Sequence, residues 1–162
     1  MLNYNKKKYR KLNLAAANDN DLVVFSTLCQ DSIIKISNIK WAKNSKRFNI
    51  LLTRFCWEIN DVSKKKDTCF KRVNSIMIFD NVLSVKSKGI QQNRSNMITS
   101  FLTLDYKFLS FEKQSIDLIF SGDAQITLEI ECIEAFLKDV SEPFESTSSN
   151  IPNHKNDYKK SN

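Results

Sequence analysis

Between Gln125 and Val140 the chain reads QITLEIECIEAFLKDV, and its periodicity changes midway. Ile126, Leu128, Ile130 and Cys132 alternate with Thr127, Glu129 and Glu131. An extended backbone points successive side chains to opposite faces, so this pattern predicts a strand with one buried and one wet face. Ile133, Phe136, Leu137 and Val140 then fall at helical spacing. They predict a short amphipathic helix, Ile133–Val140, folded back over the sheet as a lid. A half-buried strand and a one-sided helix must share a core. The chain therefore reads as an α+β domain that ends near Val140.

Upstream, the pattern is one helix followed by strands in pairs. Asn18–Gln30 predicts a helix: Asn18 or Asn20 can cap it, Asp19 and Asp21 suit its positive end, and Leu22, Phe25 and Cys29 form an apolar stripe. Ile33–Ala42 and Arg47–Glu58 predict a hairpin about the polar turn 43–46. The second of these strands is apolar on both faces, which suits a central strand. Arg72–Phe79 and Val82–Lys88 predict a second hairpin about Asp80-Asn81. Ile98–Phe108 alternates, with Leu102, Leu104, Tyr106 and Phe108 on one face. Ser115–Phe120 and Gln125–Cys132 predict a third hairpin around 121–124. The expected fold is a mainly antiparallel, curled sheet or partly closed barrel of about seven strands with an N-terminal and a short C-terminal helix. A pleckstrin-homology-like barrel has a matching count of elements.

Composition limits the chemistry. The 162 residues include 41% hydrophobic types, enough for a real core. Gly89 and Gly122 are the only glycines, so no Gly-rich phosphate cradle exists. The net charge of +7 is concentrated at the N-terminus, where Lys6, Lys7, Lys8, Arg10 and Lys11 precede any acid. Between Leu12 and Val140 there are 17 basic and 15 acidic residues. Residues 1–11 thus read as a basic disordered arm, 12–140 as a single domain, and 141–162 as a disordered tail. Such an arm gives weak, salt-sensitive polyanion binding, as do the lysines at 64–66. Lys outnumbers Arg 20 to 5, which argues against dedicated bidentate phosphate recognition. The stretch LNLAAANDNDLVVF is too broken by Asn and Asp to form a secretory signal. No apolar run reaches the ~18 residues of a membrane span.

His154, in the expected tail, is the only histidine, so a histidine-activated nucleophile or histidine metal site within the domain is excluded. Cys29, Cys56, Cys69 and Cys132 are scattered without a C-x-x-C pair. Cys56 and Cys132 read as buried small hydrophobes, and the pattern fits a reducing cytoplasm. Glu131 and Glu134 are the best carboxylate pair for acid–base work, against the plainer reading of a wet face and a favourable helix-end charge. Arg54, Trp57 and Glu58 cluster at the end of one strand. Arg54 and Glu58 share a face at period 2, so they can pair, and Arg72 is a comparable arginine seeking a structural carboxylate. Trp41 and Phe48 mix with Lys40, Lys43, Lys46 and Arg47 about one hairpin, a combination also found on single-strand nucleic-acid surfaces. Period-2 logic instead points these aromatics inward. No cofactor or metal site is read.

Asp21-Leu22, Gln30-Asp31, Trp41, Arg47-Phe48, Arg54, Trp57-Glu58, Arg72-Val73, Gly89, Glu131–Glu134 and Asp139 form an ordered pattern, most specific in RFCWE and ECIEA. Over roughly 12–140 it resembles an alphaproteobacterial family, domain of unknown function 2948. The resemblance implies a cytoplasmic protein and carries no activity, cofactor or catalytic residue. The residues themselves point to a non-enzymatic binding or accessory module with a protein partner. The alternatives are weak nucleic-acid binding through the basic arm, or an enzyme working through Glu131 and Glu134.

Overall fold

The computed structural model describes residues 9–59, 70–91 and 93–146. The lysines at 6–8 and 64–66, Cys69, His154 and the expected tail from 147 onward lie outside the described residues.

The chain opens with β1 (Asn13–Ala16) and α1 (Asp19–Cys29). Asn18 caps α1 by accepting a hydrogen bond from the Asp21 N–H at 3.0 Å, as its sequence implies. Leu22, Phe25 and Cys29 are the buried stripe. Then come β2 (Ile33–Lys35), a 3-10 turn, β3 (Ile39–Ala42), a second 3-10 turn and β4 (Arg47–Phe55). After the gap follow β5 (Lys71–Phe79), β6 (Val82–Lys88), β7 (Ile98–Ser110), β8 (Lys113–Phe120) and β9 (Ala124–Ile130). The described chain ends with β10 (Ala135–Asp139) and β11 (Phe144–Glu145).

All pairings are antiparallel, in the order β1-β10-β5-β4-β2-β7-β8-β9-β6, with β3 also on β4 and β11 on β5. The sheet does not close; β1 and β6 are its ends. Two halves face each other across one core. Phe48, Ile50, Leu52, Met77, Phe79 and Leu137 come from one half, and Phe101, Ile116, Leu118, Phe120, Ile126 and Leu128 from the other. α1 packs against β7, β1 and β4.

Three local readings agree with the structure: the capped helix, the β8–β9 hairpin, whose turn places Gly122 and Asp123 at φ 74° and 57°, and the hairpin about 43–46, although its expected first strand Ile33–Ala42 is broken by a 3-10 turn into β2, which pairs with β7, and β3. Several expectations are corrected. There are eleven strands rather than about seven, and one α-helix, among the described residues. The expected helix Ile133–Val140 is instead strand β10, so both the strand count and the missing C-terminal helix depart from a pleckstrin-homology-like plan. Its true alternation buries Ala135, Leu137 and Asp139. An inward carboxylate breaks the apolar period that reveals a strand, while the helical spacing of four apolar residues in so short a segment is weak evidence. The open edges of β5 and β1 take β10 as their shared neighbour.

The β5 and β6 segments are strands as expected, but they do not pair. β5 joins β4 and β10, and β6 joins β9. Asp80 and Asn81 form a corner between the two halves: the Asp80 N–H donates to Glu134 O, the Glu131 N–H donates to Asn81 O, and Asn81 has φ 58°. Arg47 locks this corner with a two-pronged contact to Asp80, at 2.6 and 2.9 Å. On β7 the inward anchor is Phe101, because Leu102 is the extra residue of a bulge; Leu102 and Phe108 are exposed. Cys132 is exposed, not buried, since the strand ends at Ile130. β4 stops at Phe55 and leaves Leu51 exposed on its outer face. Sheet pairing also continues past Val140, through β11, to the bond from Ser146 N–H to Phe70 O.

Leu137 is fully buried, whereas Phe136 faces outward beneath Lys138. Leu137→Ala should cost about 2–5 kcal/mol in a urea melt, and Phe136→Ala clearly less. Equal losses would contradict the strand register of β10. A Cβ on Gly89, at φ 71°, would stand 2.9 Å from Asp123 O. Gly89→Ala should therefore destabilise by more than about 1 kcal/mol.

Candidate functional site

Arg54 lies on the inward face of β4, two residues beyond Leu52, and has no exposed surface. A buried guanidinium needs a full set of acceptors. Asp139, inward on β10, supplies two: Nε to Oδ1 at 3.1 Å and Nη2 to Oδ2 at 3.0 Å. Glu58, in the turn after β4, supplies two more, at 3.0 Å from Nη1 and 2.6 Å from Nη2. Ser75 on β5 donates to Asp139 Oδ1 at 2.6 Å, the Leu12 N–H donates to Oδ2 at 2.8 Å, and the Tyr9 hydroxyl donates to Oδ2 as well. Burial by itself would raise the Asp139 pKa. The hydrogen bonds from Arg54, Ser75, Tyr9 and Leu12 outweigh it and hold the carboxyl below its ordinary range. Arg54 is shifted up: burial opposes its charge, and the Glu58 and Asp139 carboxylates more than compensate. Both carboxylate oxygens of Asp139 are engaged inside the fold, so the buried part of this cluster is a structural clamp, while the Glu58 side chain stays 29% exposed.

Trp57 and Arg72 flank this clamp through Phe55. The Trp57 ring lies 4.5 Å from the Phe55 ring, centroid to centroid, and its Nε1 is buried without a hydrogen-bond partner. The Arg72 guanidinium lies 5.8 Å from the same ring, and Nη1 is 3.4 and 3.5 Å from the carbonyl oxygens of Thr53 and Asp31. Burial lowers its pKa. Glu131 and Glu134 are not brought together with these residues, and their carboxylates have different partners. Glu131 pairs with Lys46 at 2.8 Å, and Glu134 accepts from Asn81 Nδ2 at 2.6 Å; both are exposed. Burial pushes the Cys29 and Cys56 thiols up to about 12, which makes them poor nucleophiles. Among the described residues no group of three His, Cys, Asp or Glu could hold a metal ion, and no helix is long and apolar enough to cross a membrane.

The described residues leave a slot of about 510 Å³ between β3 and β6; a shallower hollow of about 630 Å³ lies beside Tyr106, Phe108, Phe111 and Cys132. Ile39 and Trp41 of β3 form one wall and Val85 and Ser87 of β6 the other. Phe48 and Ile126, both core residues, form the floor. One end is pinned by the Val82 N–H on Lys46 O at 2.9 Å. The other end carries Ile36, Ser37, Ile90 and Ser95, and is tied by the Ile36 and Ser37 N–H groups on Met97 O and Ser95 O. This size and mostly apolar lining, with a few hydroxyls, suit a binding site. Trp41 Nε1 is buried without a hydrogen-bond partner among the described residues. The sequence offered one signal for this site, the inward reading of Trp41 and Phe48. The contribution of β6 and Ile126 depends on long-range pairing and was missed.

Asp139→Asn leaves the Arg54 charge poorly compensated inside the core and should cost about 3–5 kcal/mol. Glu58→Gln, at a position open to water, should cost less. Because the folded Asp139 pKa is depressed, its stabilisation is fully present above the ordinary carboxylate value of ~3.9 and disappears as pH falls through the folded value. Urea melts at pH 7 and pH 3 should show a loss for the wild type that Asp139→Asn largely lacks.

No curated protein and no solved structure matches this chain. A family model does, across residues 12–154, which is most of the sequence and includes the slot and all of the clamp but Tyr9. The chain belongs to the family described as protein of unknown function (DUF2948).

Proposed function

We propose that this protein is a cytoplasmic, non-enzymatic binding or accessory module and that the slot between β3 and β6 receives its ligand. The observation that carries this reading is the slot itself: an apolar cavity of about 510 Å³ at an open seam of the sheet, walled by half-buried side chains. A carboxylate enzyme draws less support, because Glu131 and Glu134 are exposed and separately engaged by Lys46 and Asn81. Base stacking on the β3–β4 hairpin also draws less support, because Phe48 is 1% exposed and forms the cavity floor. Polyanion binding by the N-terminal arm is then an accessory, salt-screened effect.

The test is a titration with N-phenyl-1-naphthylamine, a neutral dye that brightens in apolar surroundings. The wild type should bind it, and Val85→Trp, which fills the slot from its rim, should bind at least about tenfold more weakly while melting normally. Undiminished dye binding by a folded Val85→Trp protein would remove the slot as the ligand site.

A further inference from the structure

We infer that the ligand of this slot is an extended acidic peptide that adds as a strand to the open edge of β6 and seats an apolar side chain between Trp41 and Val85. The inference rests on the slot being the ligand site, and it names the ligand class from two further observations.

The first is backbone. Among the described residues β6 pairs only with β9, and β3 only with β4. On its other side β6 makes one described backbone bond, the Val82 N–H to Lys46 O, which shows that its open edge faces the β3–β4 hairpin. From Ser84 to Lys88 that edge presents backbone groups with no strand beside them among the described residues. An extended peptide satisfies such groups, and alternate side chains then point into and away from the pocket behind the strand. A compact apolar molecule would fill the slot and leave the edge unpaired.

The second observation is charge. The two stretches that frame the slot, 32–57 and 81–104, contain no Asp or Glu. Of their cations, Lys46, Arg47 and Lys86 are paired with Glu131, Asp80 and Glu129, and Arg54 is in the buried clamp. Lys35, Lys40, Lys43, Lys88 and Arg94 are exposed and have no ion pair among the described residues. Lys40 alternates with Ile39 and Trp41, and Lys88 with Ser87, so both lysines stand on the outer faces of the strands that wall the slot, the side to which alternate side chains of an added strand would point. This field attracts acidic residues placed either side of an apolar one, and it repels basic segments. Lysines on an edge strand also guard against aggregation. That role predicts only self-association on charge reversal, without a change in peptide binding.

Three capped heptapeptides separate these possibilities: Glu-Val-Asp-Leu-Glu-Val-Asp, its all-Lys counterpart with the same apolar residues, and the acidic peptide N-methylated along one backbone edge. Binding is read by displacement of N-phenyl-1-naphthylamine and by backbone amide shifts in nuclear magnetic resonance. The acidic peptide should displace the dye and shift β6 amides. It should bind at least about tenfold more weakly at high salt or to the Lys40→Glu, Lys88→Glu double variant. The Lys peptide and the N-methylated peptide should not bind. Dye binding without binding of the acidic peptide overturns this inference and leaves the slot reading intact; loss of dye binding as well overturns both. Equal binding of the Lys or the N-methylated peptide overturns it too. So does a concentration-dependent dimer whose contact maps to β6, because the edge would then serve a second copy of this chain.

Discussion

Arg54 sits on a strand whose other inward residues are Phe48, Ile50 and Leu52, and its guanidinium has no water to reach. The cost of stripping water from that charge is several kcal/mol, which only a close arrangement of acceptors can offset. Asp139 from β10, Ser75 from β5, Glu58 from the turn after β4, and the Tyr9–Leu12 segment provide that arrangement. Each comes from a different part of the chain. The clamp therefore fixes the order β10-β5-β4 and ties the N-terminal segment to the same point. A hydrophobic residue at position 54 could fill the volume, but it would not choose among neighbouring strands. The guanidinium chooses, because a misplaced strand leaves its charge unpaired.

With one half of the sheet held by the clamp, the other half, β7-β8-β9-β6, packs across it through aromatic and aliphatic side chains such as Phe101 and Phe120. One side of this two-layer arrangement is covered by α1, which buries Leu22, Phe25 and Cys29 against the core. The other side, between β3 and β6, has no such cover among the described residues. β3 is only four residues long, and β6 has a bulge at its start and ends at Lys88, just before Gly89. Neither edge reaches the other, so Trp41 and Val85 stay half-buried at the seam. The slot is a consequence of this incomplete closure. The absence of acids from both framing stretches gives it a charge of one sign.

What could be read in advance was local. The Asn18 cap and the Leu22, Phe25, Cys29 stripe lie within one helix, so short-range spacing was sufficient. The β8–β9 hairpin was legible because Gly122 and Asp123 tolerate the left-handed backbone its turn requires. The β5–β6 hairpin was misread for the same reason: Asp80-Asn81 carries turn chemistry, but that chemistry serves a corner as well as a hairpin. β10 was misread because its third inward residue is Asp139. A carboxylate facing the core makes sense only beside Arg54, which is 85 positions earlier in the chain.

By itself, the amino-acid sequence determined that most of the domain is extended, where α1 begins, that aromatic residues are plentiful, and that His154 is the only histidine. Those properties follow from side-chain period, capping and composition, which act within a few residues. The tertiary structure alone decided which strands pair, that Ile133–Val140 yields a strand, that Arg54 and Asp139 meet, and that β3 and β6 stand apart with a cavity between them. Those outcomes depend on which edges and charges remain unsatisfied once the rest of the chain has packed. Unsatisfied edges and charges belong to the assembled sheet, and no local stretch of sequence records them.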